Sequence, residues 1–447
     1  MATYLTRNQT NGNQDKWTFS SWVKKSTSSA AQCIFATSNG STTSFDAKFD
    51  SSDRIDVYNY LGGGYGARLV TNRVFRDPAA WYHIVIVYDS GNSTEAQRLR
   101  IYVNGTEETS FSTTNYPSLD ENSDLNVSGS TLDIGRQQNG SQFFLGYLAQ
   151  SILADGQAYA PTVFGSTNAD GIWVPITSPS VTYGTNGFKL DYKDSGASAA
   201  ASNFGADTSG NNNHFTSNSL GTNPNTNDSP QNIFATLDPN NDRTQGGFTF
   251  SKGNTKVVTS GSNKNYACLT QAFKTGKWYM ECRYTAGSSD GNVGFCDMND
   301  LQMAGTSTLG DLSNEARVTS AGAYKKNNST TSGWAGSFTD NDILGLCLDC
   351  DNNRFTISKN GQFADGSGNY DEANPTAYIT YTTGNFMTFA FGEGAGAATA
   401  TIEINTGNAP FTISSANADA NGYGSFEYAV PSGYYAPCTK NMAQYGG

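Results

Sequence analysis

Short runs in which bulky apolar residues alternate with small polar ones recur along the chain, and Gly, Asn, Ser and Thr fill the gaps between them. Trp17-Thr-Phe-Ser-Ser-Trp22-Val sets the pattern, a period of two that turns one face of an extended strand toward a core. Trp81-Tyr-His-Ile-Val-Ile-Val-Tyr88 and Arg98-Leu-Arg-Ile-Tyr-Val103 are read as further strands. The latter runs straight into Asn104-Gly105, a two-residue hairpin signal because both turn positions need positive φ. Leu132–Arg136 and Phe143–Leu148 predict two more strands, with a turn at Asp155-Gly156. In the second half, Lys277–Tyr284, Asn292–Cys296, Ile343–Asp349, Arg354–Ser358 and Met387–Phe391 read the same way, with a second hairpin at Asn360-Gly361.

Between these halves the pattern loosens. Tyr183–Tyr192 and Gly205–Phe215 are its two ordered pieces, and residues 219–232 carry few apolar side chains. The expected organisation is a first domain over 1–165, a β-rich connector over 166–246 packed on it, and a last domain over 247–447. The boundary is expected within 219–232.

Composition agrees with an all-β chain. Its 447 residues include 48 Gly, 24 Tyr and 25 Phe, and only 15% are charged, so Ala/Leu/Glu/Lys helical stretches have little room. The length suits two or three domains. A net charge of −12 with scattered Lys and Arg excludes a phosphate-binding surface, so no nucleic-acid partner is expected. No apolar window is long enough for a membrane helix, and the polar start lacks a signal peptide's apolar core. The seven cysteines are odd in number and irregularly spaced, which predicts reduced, buried thiols rather than a disulfide framework.

The segments WTFSSWVKKS, RVFRDPAAWYHIVIVYDS, LRIYVNGTE, LDIGR and FFLGYLAQSILADGQAYAPTVFG resemble the concanavalin A-like, laminin-G-type lectin sandwich over residues 1 to about 165. TGKWYMECRYT, VGFCD, DNDILGLCLDCDNNRFTISKNGQ and GSFEYAVPSGYYAPCTKN are similar to the SPRY domain over about 247–440, with a departure at the insert of 298–335. The resemblances imply two tandem antiparallel β-sandwiches, a concanavalin A-like jelly roll followed by a SPRY-like sandwich.

Catalytic chemistry is sparse. The two histidines, His83 and His214, fall in a strand and in an Asn-rich turn. Glycosidases on this scaffold carry Glu-x-Asp-x-x-Glu, whereas Thr401-Ile-Glu-Ile-Asn405 offers a single carboxylate. Asp349-x-Asp351-x-Asn353 opens like a calcium loop, but Arg354 and Asn360 replace the Gly and Glu such a loop needs. Asp207 with Asn211 is the better calcium candidate, set against a plain Asx turn. No enzyme activity is expected.

Binding chemistry remains. A sugar site needs an aromatic face for the ring and Asn, Asp or Arg for the hydroxyls. Tyr58, Asn59, Tyr60, Tyr65 and Arg68 form one such set, and Tyr324 with Trp334 another; packing on their own sheets is the alternative for each. The tandem looks like virion proteins of tailed phages. That resemblance implies a protein made in the host cytoplasm, displayed on the particle among other virion proteins, oligomeric, and contacting host-surface glycans as a tail adhesin. Head decoration, a glycan-degrading hydrolase and a peptide-binding module are the alternatives.

Overall fold

The period-two runs become strands, and the strands assemble into stacked antiparallel sheets. The computed structural model describes residues 3–38, 40, 42–221, 224–241, 247–259, 266–287, 291–299, 308–382, 385–393 and 399–446. It divides into two units, residues 1–225 and 226–447.

In the first unit one sheet has eight strands. They are β1 (Tyr4–Asn8), β3 (Gln32–Ser38), β4 (Thr43–Phe49), β5 (Arg54–Leu61), β6 (Gly64–Val74), β10 (Phe111–Asn115), β11 (Thr131–Ile134) and β16 (Thr216–Asn218). Their order across the sheet is β10-β6-β5-β4-β3-β11-β1-β16. The facing sheet has β2 (Lys16–Lys25), β7 (Tyr82–Asp89), β8 (Leu99–Val103), β9 (Thr106–Glu107), β12 (Gly146–Asp155) and β15 (Phe188–Leu190), ordered β15-β12-β2-β7-β8-β9. The core lies between them. Trp17 of β2 stacks on Tyr88 of β7, rings 5.5 Å apart, and meets Phe45 of the opposite sheet edge-on at 4.8 Å. Aromatic pairs in these geometries add to area burial.

A short ribbon, β13 (Gly165–Thr167) with β14 (Trp173–Pro175), covers the outside of the six-stranded sheet. Its Trp173 donates to His83 Nδ1 at 2.9 Å, and the His83 ring also stacks on Trp22 at 4.6 Å. With Nδ1 accepting, the proton sits on Nε2, which lies 2.8 Å from the Ser20 hydroxyl. Burial pushes the His83 pKa down to about 3, so the ring is neutral and serves packing.

Two parts of the segment read as a connector complete these sheets: β15 pairs with β12, and β16 with β1. The division between units falls at 225/226, and Ala235 and Leu237 lie in the core of the second unit. Residues 222–223 and 242–246 of that segment lie outside the described residues. Both hairpin signals form as read, with φ of 50° and 81° at Asn104-Gly105 and 49° and 84° at Asn360-Gly361. The strand expected at Phe143–Leu148 starts only at Gly146. The reason is packing: the chain before it loops over the eight-stranded sheet, and Phe144, only 7% exposed, plugs into the core from there.

The second unit repeats the two-sheet plan. Lys277–Ala286, Ile343–Asp349, Arg354–Lys359 and Thr401–Asn405 lie in one sheet, and Gly291–Asp297 and Met387–Glu393 in the other. Trp278, Met280, Leu344, Leu346, Phe389 and Phe391 meet between them. Residues 300–307 of the expected insert lie outside the described residues. All seven cysteines are buried, and Cys268 and Cys296 approach to 3.3 Å between sulfurs. No helix among the described residues is long and apolar enough to cross a membrane.

Candidate functional site

On β4 the alternation sends Phe45, Ala47 and Phe49 into the core, which leaves Ser44, Asp46 and Lys48 on the other face of the sheet. Strand pairing aligns that face into a row. Asp133, Ala36, Asp46, Tyr58, Arg68 and Asn115 stand side by side across β11, β3, β4, β5, β6 and β10.

Asp46 is the pivot. Although on the outer face, it is fully buried, because the turn at Gln137 folds over it. The Tyr58 hydroxyl donates to Asp46 Oδ2, and Gln137 Nε2 donates to the same oxygen at 2.6 Å and to the Tyr58 oxygen at 3.0 Å. Burial raises the Asp46 pKa above the usual carboxylate range. The Tyr58 and Gln137 hydrogen bonds, the Lys48 charge and the nearby Ser44 hydroxyl pull it partway back. Asp46 Oδ1, Gln137 Oε1 and Thr43 Oγ1 are shielded from solvent and take no hydrogen bond among the described residues. A buried acceptor without a donor costs free energy that an incoming donor would recover.

These atoms underlie an open cleft of about 600 Å³, lined by Ser38, Thr43, Ser44, Asp46, Tyr60 and Gln137 together with Gly40, Gln138 and Asn139. Beside it rises an aromatic ridge. Tyr65, 47% exposed, meets Tyr60 at 5.3 Å and Tyr58 at 5.4 Å, both nearly perpendicular. The Arg68 guanidinium lies 4.6 Å from the Tyr65 ring centre and grips Asp56 with two hydrogen bonds, of 3.0 and 2.9 Å. That grip raises the Arg68 pKa.

Four of the five residues expected in this set, Tyr58, Tyr60, Tyr65 and Arg68, thus come together. Asn59 does not join them. Flanked by two outward tyrosines, it points inward, fully buried, where it donates to Glu121 Oε1 and the Asn122 carbonyl and accepts from the Asp124 N–H. Sequence reading passed over Asp46, Thr43 and Gln137. The polar alternation Ser44-x-Asp46-x-Lys48 was the available signal for the first; Thr43 opens the same strand, and Gln137 is placed by the loop that covers the sheet.

The second expected pair is a packing pair. Tyr324 and Trp334 meet edge-on at 5.7 Å, but Trp334 is only 7% exposed and belongs to the core of the second unit, so its ring faces protein.

The calcium candidate does not fit a cation. Asp207 Oδ1 accepts from the Lys189 and Ser209 N–H groups, and Oδ2 from the Ser209 hydroxyl and the Asn213 N–H, at 2.8–2.9 Å. Asn211 spends its amide on the Gly184 and Gly187 carbonyls. Donors surround the carboxylate where a cation needs oxygens. No cluster of three His, Cys, Asp or Glu side chains suited to a metal occurs among the described residues. His214 Nδ1 accepts the Asp207 N–H at 3.0 Å, which gives it a place in the same turn. Glu403 is held by Lys252 at 2.8 Å and Arg283 at 2.9 Å, and Asp349 by Arg354 at 2.9 Å.

No curated protein matches this chain. Among solved structures it is similar to the PSpry domain of TRIM65 (17% identity, 38% of this chain and 91% of that one, TM-score 0.28). It is similar to the SPRY domain of human HERC1 (12% identity, 38% and 96%, TM-score 0.30). It is also similar to a native heptameric SAP-like pentraxin from Limulus polyphemus (15% identity, 40% and 88%, TM-score 0.29). Residues 2–154, which hold the cleft and its aromatic ridge, match the family described as the Concanavalin A-like lectin/glucanases superfamily.

Proposed function

We propose that this chain is a non-enzymatic carbohydrate-binding protein whose first unit holds a glycan in the Asp46–Tyr60–Gln137 cleft and along the Tyr65–Arg68 ridge. One observation carries the reading: unpartnered acceptors on a buried carboxylate and an amide lie beneath an open cleft, next to an exposed tyrosine. Sugars present what this arrangement lacks, hydroxyl donors for the acceptors and a C–H face for the ring. The match of residues 2–154 to a lectin/glucanase superfamily supports it.

Binding without turnover is favoured because the described lining of the cleft holds one carboxylate, Asp46, where glycoside hydrolysis needs a pair, and candidates outside it are engaged. Both His83 nitrogens and His214 Nδ1 are hydrogen-bonded, and Glu403 and Asp349 are ion-paired. In the setting implied by the sequence resemblance, the protein is an oligomeric tail adhesin on a phage particle, reading host-surface glycans.

A glycan array with the full chain, Tyr60→Ala and Tyr65→Ala tests this reading. Binding that both variants lose is the expected result. No glycan bound by the wild type, or release of reducing ends from a bound polysaccharide, overturns it. Electron microscopy of the particle places the chain on tail or head.

A further inference from the structure

The cleft differs from its surroundings in charge. Its lining residues include a carboxylate and no Lys or Arg. The cations nearby are committed elsewhere. Lys48, two residues along β4 from Asp46, lies 5.1 Å from the Tyr58 ring centre and bonds Gln142 Oε1 at 3.3 Å. Arg68 is clamped to Asp56, and Arg136 pairs with Asp133 at 2.5 Å and stacks on Tyr4 at 3.6 Å. Among the described lining residues, the shielded side-chain atoms without a partner are all oxygens: Asp46 Oδ1, Gln137 Oε1 and the Thr43 hydroxyl. Carboxylate and amide oxygens can only accept.

We infer that the cleft selects uncharged or amine-bearing glycans and rejects carboxylated or sulfated ones. The inference rests on the carbohydrate reading above and names the ligand class for the same site. Rejection follows from two costs that an acidic sugar would meet together. Its anion would lie over a buried carboxylate, and among the described lining residues it would find no cation to offset that repulsion or to replace its lost hydration. Neutral hydroxyls and ammonium groups supply donors instead. Asp46 is sealed by Gln137, so direct contact requires the Gln137 side chain to swing aside; the field of the carboxylate acts on the cleft in either position. Specificity of this kind comes from the repulsive element as much as from the attractive one.

The test is a calorimetric titration of the full chain with three oligosaccharide probes of equal length: N-acetylglucosamine oligomers, glucosamine oligomers and oligogalacturonate. The expected result is binding of one or both of the first two, with oligogalacturonate at least about tenfold weaker. Asp46→Asn, which keeps the size of the side chain and removes its charge, is expected to narrow that gap. Ser44→Lys, a half-buried lining position that tolerates a longer side chain, is expected to admit oligogalacturonate even if the Asp46 variant folds poorly. Oligogalacturonate bound as tightly as the other probes by the wild type overturns the inference and leaves the carbohydrate reading standing. Unchanged selectivity in a folded Ser44→Lys protein also overturns it. No binding of any probe, together with a blank glycan array, removes the carbohydrate reading and this inference with it.

Discussion

The phenol of Tyr58 donates its proton to the carboxylate of Asp46 across a β4–β5 pair, on the outer face of a sheet, yet Asp46 has no exposed surface. A buried acid on the side of a sheet that normally meets water is costly, and the two halves of the pair make opposite predictions. Tyr58→Phe removes a donor and leaves the carboxylate with Gln137 alone, so it is expected to destabilise the first unit by about 1–3 kcal/mol. Asp46→Asn removes the desolvated charge and is expected to stabilise it at pH 7 by on the order of 1 kcal/mol. Because burial raises the Asp46 pKa, the wild type regains that stability as pH falls through the folded-state pKa, and the advantage of the variant shrinks there. Chemical denaturation across pH, with hydrogen exchange assigning the change to the first unit, checks both. A variant that gains stability and loses ligand selectivity marks a residue kept for function.

His83 predicts the opposite slope. Its folded pKa, about 3, lies below the value of about 6.5 for a free imidazole, so the unfolded chain binds the proton first. Its contribution is therefore complete above about pH 6.5 and is lost as pH falls toward 3, a change of a few kcal/mol. His83→Gln should lower stability at pH 7 through the lost stack on Trp22 and then fall less steeply than the wild type. Hydrogen-exchange protection of β2 and β7, compared at pH 7 and pH 4, measures the difference.

Trp334→Ala is expected to destabilise the second unit by roughly 3–5 kcal/mol, as for other buried aromatic truncations, and to leave glycan binding at the first unit unchanged. Denaturation and calorimetry on the same preparation separate the two effects. A glycan affinity that falls with Trp334 would place recognition in the second unit.

Chelation is expected to change nothing. The oxygens of Asp207 are taken by N–H and O–H donors, so a calcium chelator should leave the melting temperature within error. Asp207→Ala, which strands those donors, should cost about 2 kcal/mol or more. A melting temperature that drops on chelation would show that a cation is bound.

The sandwich architecture was legible because it depends on local rules, alternation in the strands and Asn-Gly at the hairpins. The site was half legible. Tyr60, Tyr65 and Arg68 lie within nine residues on one hairpin, so their proximity is written in the sequence, whereas Gln137 reaches Asp46 from a loop 91 positions away. Asn59 was misread for lack of strict phase: in a strand, a residue between two outward tyrosines points inward. Trp334 and Tyr324 looked like a sugar platform because the stretch around them is polar, and polarity of neighbours does not report which way a ring turns. Of the connector's two short strands, β15 falls inside the expected piece Tyr183–Tyr192, whereas β16 lies just past Gly205–Phe215 and is defined only by its partner β1.

All seven sulfhydryls lie below the surface. Oxidants in the medium therefore meet no accessible thiolate to attack. The buried Cys268 and Cys296 sulfurs, 3.3 Å apart, are close enough to join, so an oxidant has to reach the interior before the chain gains a bond.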